Sequence, residues 1–394
     1  MAPLAPADLN RIVETIDQSA PVDISAPYSP STLRGKVILI TGGSSGLGAA
    51  FARHWASHGA HLIIGDINTD AGEALIAELR TSDNNSGSHH FIHCDVTSWA
   101  SQASLFQQAV RLSPTGALDA VVASAGISDR NGATTGKGFE NPAGLDLPNP
   151  PAPDLSCIQV NLVGIMYTAH LALFWLPRDA SSPDAAAAAA AAAEQQGIPP
   201  TTTKTRDRHL LLVGSSAGLY PLPGVPEYVT SKHGVTGLFR SLRILSYRQG
   251  IRVNMLCPYF VDTPILPNRA VAVLSGLGLA RVDDTVDAAT RLVACDQQQG
   301  RIAGRALLVG PRMDLRKRGD DGDEVLVDKS VAEGKGQAVW EVYAHDYDTV
   351  DFFIRRYIRL LNTVATVKGW VGFIRDLCHT LFVRKDPKTA RAKI

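Results

Sequence analysis

Seven short apolar, β-branched runs recur between Lys36 and Gly310, each followed by a connection long enough to hold a helix. They read KVILIT (36–41), HLIIGD (61–66), FIHCD (91–95), DAVVAS (119–124), HLLLVG (209–214), IRVNML (251–256) and RALLVG (305–310). Runs that are apolar throughout, rather than at alternate positions, belong to strands buried on both faces. Between them, AAFARHWASH (49–58), AGEALIAELR (71–80) and SQASLFQQAVRL (101–112) read as amphipathic helices. Strand alternating with helix needs crossover connections, so the chain predicts an α/β fold: a doubly wound parallel sheet of seven strands with helices on both faces.

This body is expected to span residues 34–312. Residues 1–33, rich in Pro and dotted with Asp8, Arg11, Glu14, Asp17 and Asp23, read as a flexible arm and not as an apolar leader. Two insertions interrupt the body. Residues 128–153, rich in Gly, Pro and Asn, follow the fourth strand on the edge where ligands bind, and are expected to overhang a pocket. Residues 178–208 hold nine consecutive Ala (185–193), a run with no polar face and so no reason to pack specifically. Residues 313–394 are expected to form a helical extension.

Composition excludes several classes. Lys and Arg number 38, as do Asp and Glu, which rules out a generally basic nucleic-acid binder. The five Cys include no CxxC pair, so neither a metal site nor a disulfide framework is expected, and a reduced, cytoplasmic setting is. No run of about 18 uncharged apolar residues suggests a membrane span.

The first strand runs into TGGSSGLG, and a helix follows. Glycines at Gly42, Gly46 and Gly48 allow a tight turn and close backbone approach to a pyrophosphate on free N–H groups at a helix N-terminus, as in Rossmann-type folds. Thr41, Gly42, Ser44, Ser45, Gly46, Leu47 and Gly48 are therefore the candidate cradle. Asp66, ending the second strand, can accept hydrogen bonds from the adenosine ribose and repel a 2′-phosphate, which favours NAD over NADP. A helix N-cap is the other role open to it, but Asp70 can serve there equally. Asp95 and Val96, with Ser124, Ala125 and Gly126, follow the third and fourth strands where further cofactor contacts form.

YVTSK places Tyr228 and Lys232 four residues apart, on one helix face. A phenol exchanges protons poorly near neutrality because its ordinary pKa is about 10. A fixed cation nearby is expected to bring it down. Ser215, just beyond the fifth strand, can hold the substrate oxygen while Tyr228 moves the proton. YxxxK alone is common by chance; its conjunction, in order, with the glycine turn, Asp66 and Ser215 is specific.

With these residues assembled, the chain resembles the short-chain dehydrogenases/reductases over roughly residues 34 to 312. Within that family SSAGLYP, YVTSKHGVTGLFRSL and VNMLCPYFVDTPI are most similar to 15-hydroxyprostaglandin dehydrogenase-like enzymes, including fungal ones of secondary metabolism. The resemblance implies that Asn161, in NLVG, completes a tetrad by holding a water that relays protons to Lys232. It also implies that Lys232 binds the nicotinamide ribose, that Thr263 meets the carboxamide, and that subunits pair as homodimers or homotetramers through the helices carrying Asn161 and Tyr228. Three departures stand out: Ser124 replaces the second Asn of Asn-Asn-Ala-Gly, Tyr259 replaces the Gly of a Pro-Gly turn, and Gly214 stands where a second Ser is frequent.

The segment PILPNRAVAVLSGLGLARV (264–282) lies where the family places its substrate lid. Its few charges suggest either an apolar pocket or packing on the body. From Asp351 to Ile394 ten Lys and Arg stand against three Asp, interleaved with apolar residues at helical spacing. Such a tail packs on the body, bridges subunits, or makes peripheral contact with an anionic membrane. Together these features predict an NAD-dependent oxidoreductase that interconverts a secondary alcohol and a ketone on a hydrophobic small molecule. The alternatives are an NADPH-dependent ketoreductase of polyketide metabolism and a non-catalytic NAD-binding, membrane-associated protein. Retention of all four proton-transfer groups argues against the last.

Overall fold

The structure is a computed structural model that describes residues 19, 21–81, 87–129, 139–178, 206–245, 250–266, 278–294, 302–317, 325–328 and 336–342, with Leu360, Thr363, Val367 and Trp370. The Ala run at 185–193, most of the lid segment and most of the basic tail lie outside the described residues.

Strands β1 (Val37–Thr41), β2 (His61–Asp66), β3 (His89–His93), β4 (Ala120–Ala123), β5 (His209–Val213), β6 (Arg252–Pro258) and β7 (Ala306–Lys317) form a parallel sheet in the order 3-2-1-4-5-6-7. The order reverses between β1 and β4, which leaves a crevice beyond their carboxyl ends. Strand side chains alternate between two buried layers. Ile38, Ile40, Leu62 and Ile64 pack with Phe51 and Trp55 of α1 (Gly46–Ser57), Leu75 and Leu79 of α2 (Thr69–Thr81), and Val286 and Leu292 of α6 (Val282–Val293). Val37, Leu39, Ile63 and Val121 pack with Phe106 of α3 (Trp99–Leu112), Ile165 and Ala172 of α4 (Ser156–Trp175), and Val235 and Phe239 of α5 (Pro226–Leu245). By length and composition α4 is apolar enough to cross a membrane, yet here it contributes Asn161, Ile165, Thr168, Ala169 and Ala172 to the interior beside the sheet.

The sheet has more strands than the seven expected and does not close at residue 312. β9 (Gln337–Val342) runs antiparallel to the first half of β7, and β8 (Val325–Asp328) to its second half. The extension therefore begins with strands where helix was expected. The reason is that QAVWEV buries Ala338 and Val339 against the α1–α6 layer, while Glu341 pairs with Arg305 at 2.7 Å. Of residues 345–394, Leu360, Thr363, Val367 and Trp370 are helical and exposed.

The expected arm also differs from residue 19 onward. The Val22 N–H donates to Glu341, the Tyr28 hydroxyl donates to Asp287 (2.9 Å), and Arg291 donates to the Ala26 carbonyl while lying over the Tyr28 ring. At the amino edge of the sheet, Asp207 holds both Lys36 (2.8 Å) and the almost fully buried Arg252 (2.6 Å).

Candidate active site

A cavity of about 740 Å³ opens at the carboxyl ends of β1 to β6. At one end lies the glycine turn. Gly42 has φ +68°, and a Cβ on it would lie 2.4 Å from the Ala125 Cα; a Cβ on Gly48 would lie 2.2 Å from the Gly42 carbonyl oxygen. No side chain larger than hydrogen fits either place, so turn, helix and β4 loop close on one another. α1 starts at Gly46 without a side-chain cap, which leaves first-turn N–H groups for an anion. These features fit the diphosphate of a dinucleotide.

Asp66 lines the cavity next to this turn. One carboxylate oxygen accepts the Ser44 N–H and the other the Asn68 N–H, each at 3.0 Å. Neither Asp66 nor Asp70 caps α2. Asn68 does, accepting the Ala71 N–H through its side chain at 3.1 Å, while Asp66 lines the cavity. Asp95 accepts the Thr97 amide and hydroxyl, which fixes the turn after β3.

At the other end stand the proton-transfer groups. Ser215, buried at the end of β5, accepts the Ala217 N–H at 3.1 Å and lines the cavity with Tyr228. One turn along α5, the Lys232 ammonium donates to the Val213 carbonyl (3.2 Å) and lies 5.7 Å from the centre of the Tyr228 ring. Burial depresses Lys232 to about 8. The lowered Tyr228 pKa expected from the sequence is not found. Burial raises it, the neighbouring Ser215 hydroxyl opposes this only in part, and Lys232 at this distance does not reverse it.

Asn161 sits inside α4 where residues Gln159–Gly164 widen into a π-turn, a feature frequent at functional sites. Its side chain accepts the Ile127 N–H (2.8 Å) and donates to the Ile127 carbonyl (2.9 Å) and toward Ser231 (3.3 Å). It thus grips the loop after β4.

The cavity lining brings together Gly42, Ser45, Gly46, Leu47, Gly48, Asp66, Asp95, Val96, Ser124, Ala125, Gly126, Ser215, Tyr228, Lys232 and Thr263. Three sequence candidates lie behind the wall. Thr41 ties β1 to the Val122 carbonyl, Ser44 turns its amide to Asp66, and Asn161 holds Ile127. Of the departures, Tyr259 and Phe260 meet edge to face as an aromatic wall, and Gly214 lines the floor. Sequence reasoning missed Ile67, Val160, Leu222 and Val225 in the lining, whereas Asp129 belongs to the 128–153 insertion expected to overhang it. Ile67 lies just after β2 and Leu222 and Val225 just before α5, while Val160, on α4, carried no such signal. Ile265 and Leu266, the described start of the lid segment, also line the cavity.

The short chain dehydrogenase family matches this chain over residues 36–181 and 196–272. The chain is 34% identical over 305 residues to the 5′-hydroxyaverantin dehydrogenase of Dothistroma septosporum, a match covering 74% of this chain and 90% of that one. It is 32% identical over 282 residues to an NADP-dependent dehydrogenase of Phoma sp., covering 70% and 74%. The crystal structure of a 3-ketoacyl-(acyl-carrier-protein) reductase from Brucella melitensis complexed with NADH shares the fold, with a TM-score of 0.53 at 24% identity over 70% of this chain and 97% of that one.

Proposed function

The chain belongs to the short-chain dehydrogenases, oxidoreductases of CH–OH groups, and on that premise we propose that it interconverts a secondary alcohol and a ketone with NAD. Its substrate is a hydrophobic small molecule of secondary metabolism. The observation that carries this reading is the meeting of Ser215, Tyr228 and Lys232 with an uncapped glycine turn in one cavity.

Bound nicotinamide would supply the hydride acceptor or donor; the chain's own residues do the rest. Ser215 holds the substrate oxygen by its hydroxyl. Tyr228 takes that oxygen's proton in oxidation and returns it in reduction, and Lys232 stabilises the tyrosinate formed between. Apolar walls exclude water, which strengthens each of these interactions. Asp66 supports NAD, because its carboxylate accepts from a ribose diol and repels a 2′-phosphate. Lys232, at the far end, is the only cation among the described residues that line the cavity.

The test is turnover of a panel of secondary alcohols with NAD and with NADP. Tyr228→Phe should lower kcat by roughly 10²–10⁴, and a variant with wild-type rate would overturn the mechanism. The second reading, an NADPH-dependent ketoreductase, draws on the NADP-dependent relative; comparing kcat/KM for the four cofactors separates the two. Met166 and Phe174, large and exposed on α4, support pairing with a second copy as a homodimer or homotetramer. Light scattering of Phe174→Glu checks it. The three described cysteines are buried and unpaired, in keeping with a cytoplasmic setting.

A further inference from the structure

Leu360, Thr363, Val367 and Trp370 are helical, and their spacing of three, four and three residues sets them on one face. At 1.5 Å per residue that face is about 15 Å long. Leu360, Val367 and Trp370 are 58%, 55% and 56% exposed. The same spacing in α6 has the opposite outcome: Val286, Ala289 and Val293 are buried among the residues of the core. A stripe packed on its own chain would be covered likewise. This one is left open to an outside partner.

The segment that carries the stripe is also strongly cationic. From Asp351 to Ile394 ten Lys and Arg stand against three Asp, while residues 1–350 hold seven more acids than Lys and Arg. Arg384, Lys385, Lys388, Arg391 and Lys393 fall within ten residues, with only Asp386 among them.

These two features select among partners. An RNA strand would match the cations, but its phosphates and bases offer no place for Leu360 and Val367. An apolar groove on another protein would take the stripe but has no need of the surplus positive charge. An anionic lipid surface takes both. Its headgroups attract the cations, and the boundary beneath them accepts aliphatic side chains and the amphipathic indole of Trp370. The acidic excess of residues 1–350 is repelled by the same surface, so the attraction falls to this segment.

We propose that residues 351–394 dock on an anionic membrane surface. Leu360, Val367 and Trp370 enter the boundary between headgroups and acyl chains, and the cations of the segment pair with the headgroups. Docking is along the surface and not across it, because between Asp351 and Ile394 no uncharged run exceeds eight residues.

The experiment is flotation of the full chain with two vesicles, phosphatidylcholine alone and phosphatidylcholine with about one third phosphatidylserine. The serine vesicles should bind at least tenfold more tightly, and raising NaCl from about 0.1 M to about 0.5 M should remove most of that advantage. Arg384→Gln, Lys385→Gln and Lys388→Gln together should weaken binding by roughly 100-fold, at about fivefold per cation. Leu360→Glu with Val367→Glu, and separately Trp370→Glu, should each weaken it about tenfold or more, while Trp370→Phe should keep most of it. Thermal melts matching wild type show that these losses are not unfolding. No flotation with either vesicle, equal flotation with both, or flotation that survives the stripe variants overturns the proposal. Loss of self-association in those variants with flotation intact would assign the stripe to a second copy, and capture of oligouridylate in place of vesicles would assign the cations to RNA; either result also overturns it.

Discussion

Replacing Asp66 by Ala tests the cofactor end of the cleft most directly, because the structure gives that carboxylate two opposed effects. Its oxygens hold the Ser44 and Asn68 amides at 3.0 Å while the residue lines the cavity. A hydroxyl donating to a charged acceptor contributes about 1.5–3 kcal/mol, so NAD should lose roughly 10- to 150-fold in kcat/KM. A 2′-phosphate brought to about 4 Å from the carboxylate meets roughly 4 kcal/mol of repulsion per unit charge near a protein surface, so removing Asp66 lifts a barrier of about 10³ against NADP. The two amides freed by the substitution then point donors toward the incoming anion, which adds to the gain. The ratio of kcat/KM for NAD to that for NADP should therefore fall by roughly 10⁴ or more. Because Asp66 is only half-buried and water can reach both amides, stability should fall by only about 1 kcal/mol. Steady-state rates with each cofactor, beside a thermal melt, measure all three quantities. A ratio that moves less than threefold, or wild-type enzyme that uses both cofactors equally, refutes the reasoning.

Two further substitutions follow from the buried charges. The folded chain holds Lys232 at about 8 against an ordinary value of 10.5, so its burial costs stability in full below pH 8 and less as pH climbs toward 10.5. Lys232→Met should thus stabilise the protein by about 2 kcal/mol at pH 7, after allowing for the lost bond to Val213, with the gain fading by pH 10.5. The same variant should lose kcat at least 100-fold or so; melts at pH 7 and pH 10 beside turnover check both. Although burial alone would raise it, Arg252 and Lys36 hold Asp207 well below the usual carboxylate range. Asp207→Asn should cost about 3–5 kcal/mol at neutral pH by leaving a buried cation uncompensated. The gap from wild type should narrow as pH falls below about 4, where the depressed carboxylate loses its advantage. Denaturant titration at pH 7 and pH 3 measures it.

The parallel sheet and its switch point were legible because their signals are local: apolar runs of strand length, helical spacing between them, and glycines where backbone must meet backbone. The β7–β9 pairing was not, because it rests on partners distant in sequence, Val309 against Val339 and Arg305 against Glu341. Composition misleads in the same way at Ser19–Leu33, where a Pro-rich stretch reads as an arm until Tyr28 finds Asp287 and Arg291. Motif membership placed Thr41 and Ser44 at the cofactor, yet the Thr41 hydroxyl serves β4 and the Ser44 amide serves Asp66. The shift of Tyr228 went opposite to expectation because spacing reveals a neighbouring cation but not the burial that outweighs it.

Asn161 shows how the two ends of the site are joined. The resemblance to the family implies a relay to Lys232, but the side-chain amide is taken up by the Ile127 backbone, Cys157 and Ser231. What Asn161 does through its side chain is therefore to pin the loop after β4 to the π-turn of α4. That loop carries Gly126 on one side of the pin and Asp129 on the other. A Cβ on Gly126 would stand 3.3 Å from the Asn161 Oδ1 atom and 3.7 Å from the Lys232 Nζ atom, so glycine here keeps the path between amide and ammonium clear. One clamp thus sets both the space beside the proton-transfer lysine and the course of the loop that lines the cavity beyond it, and a change at Asn161 should disturb both together.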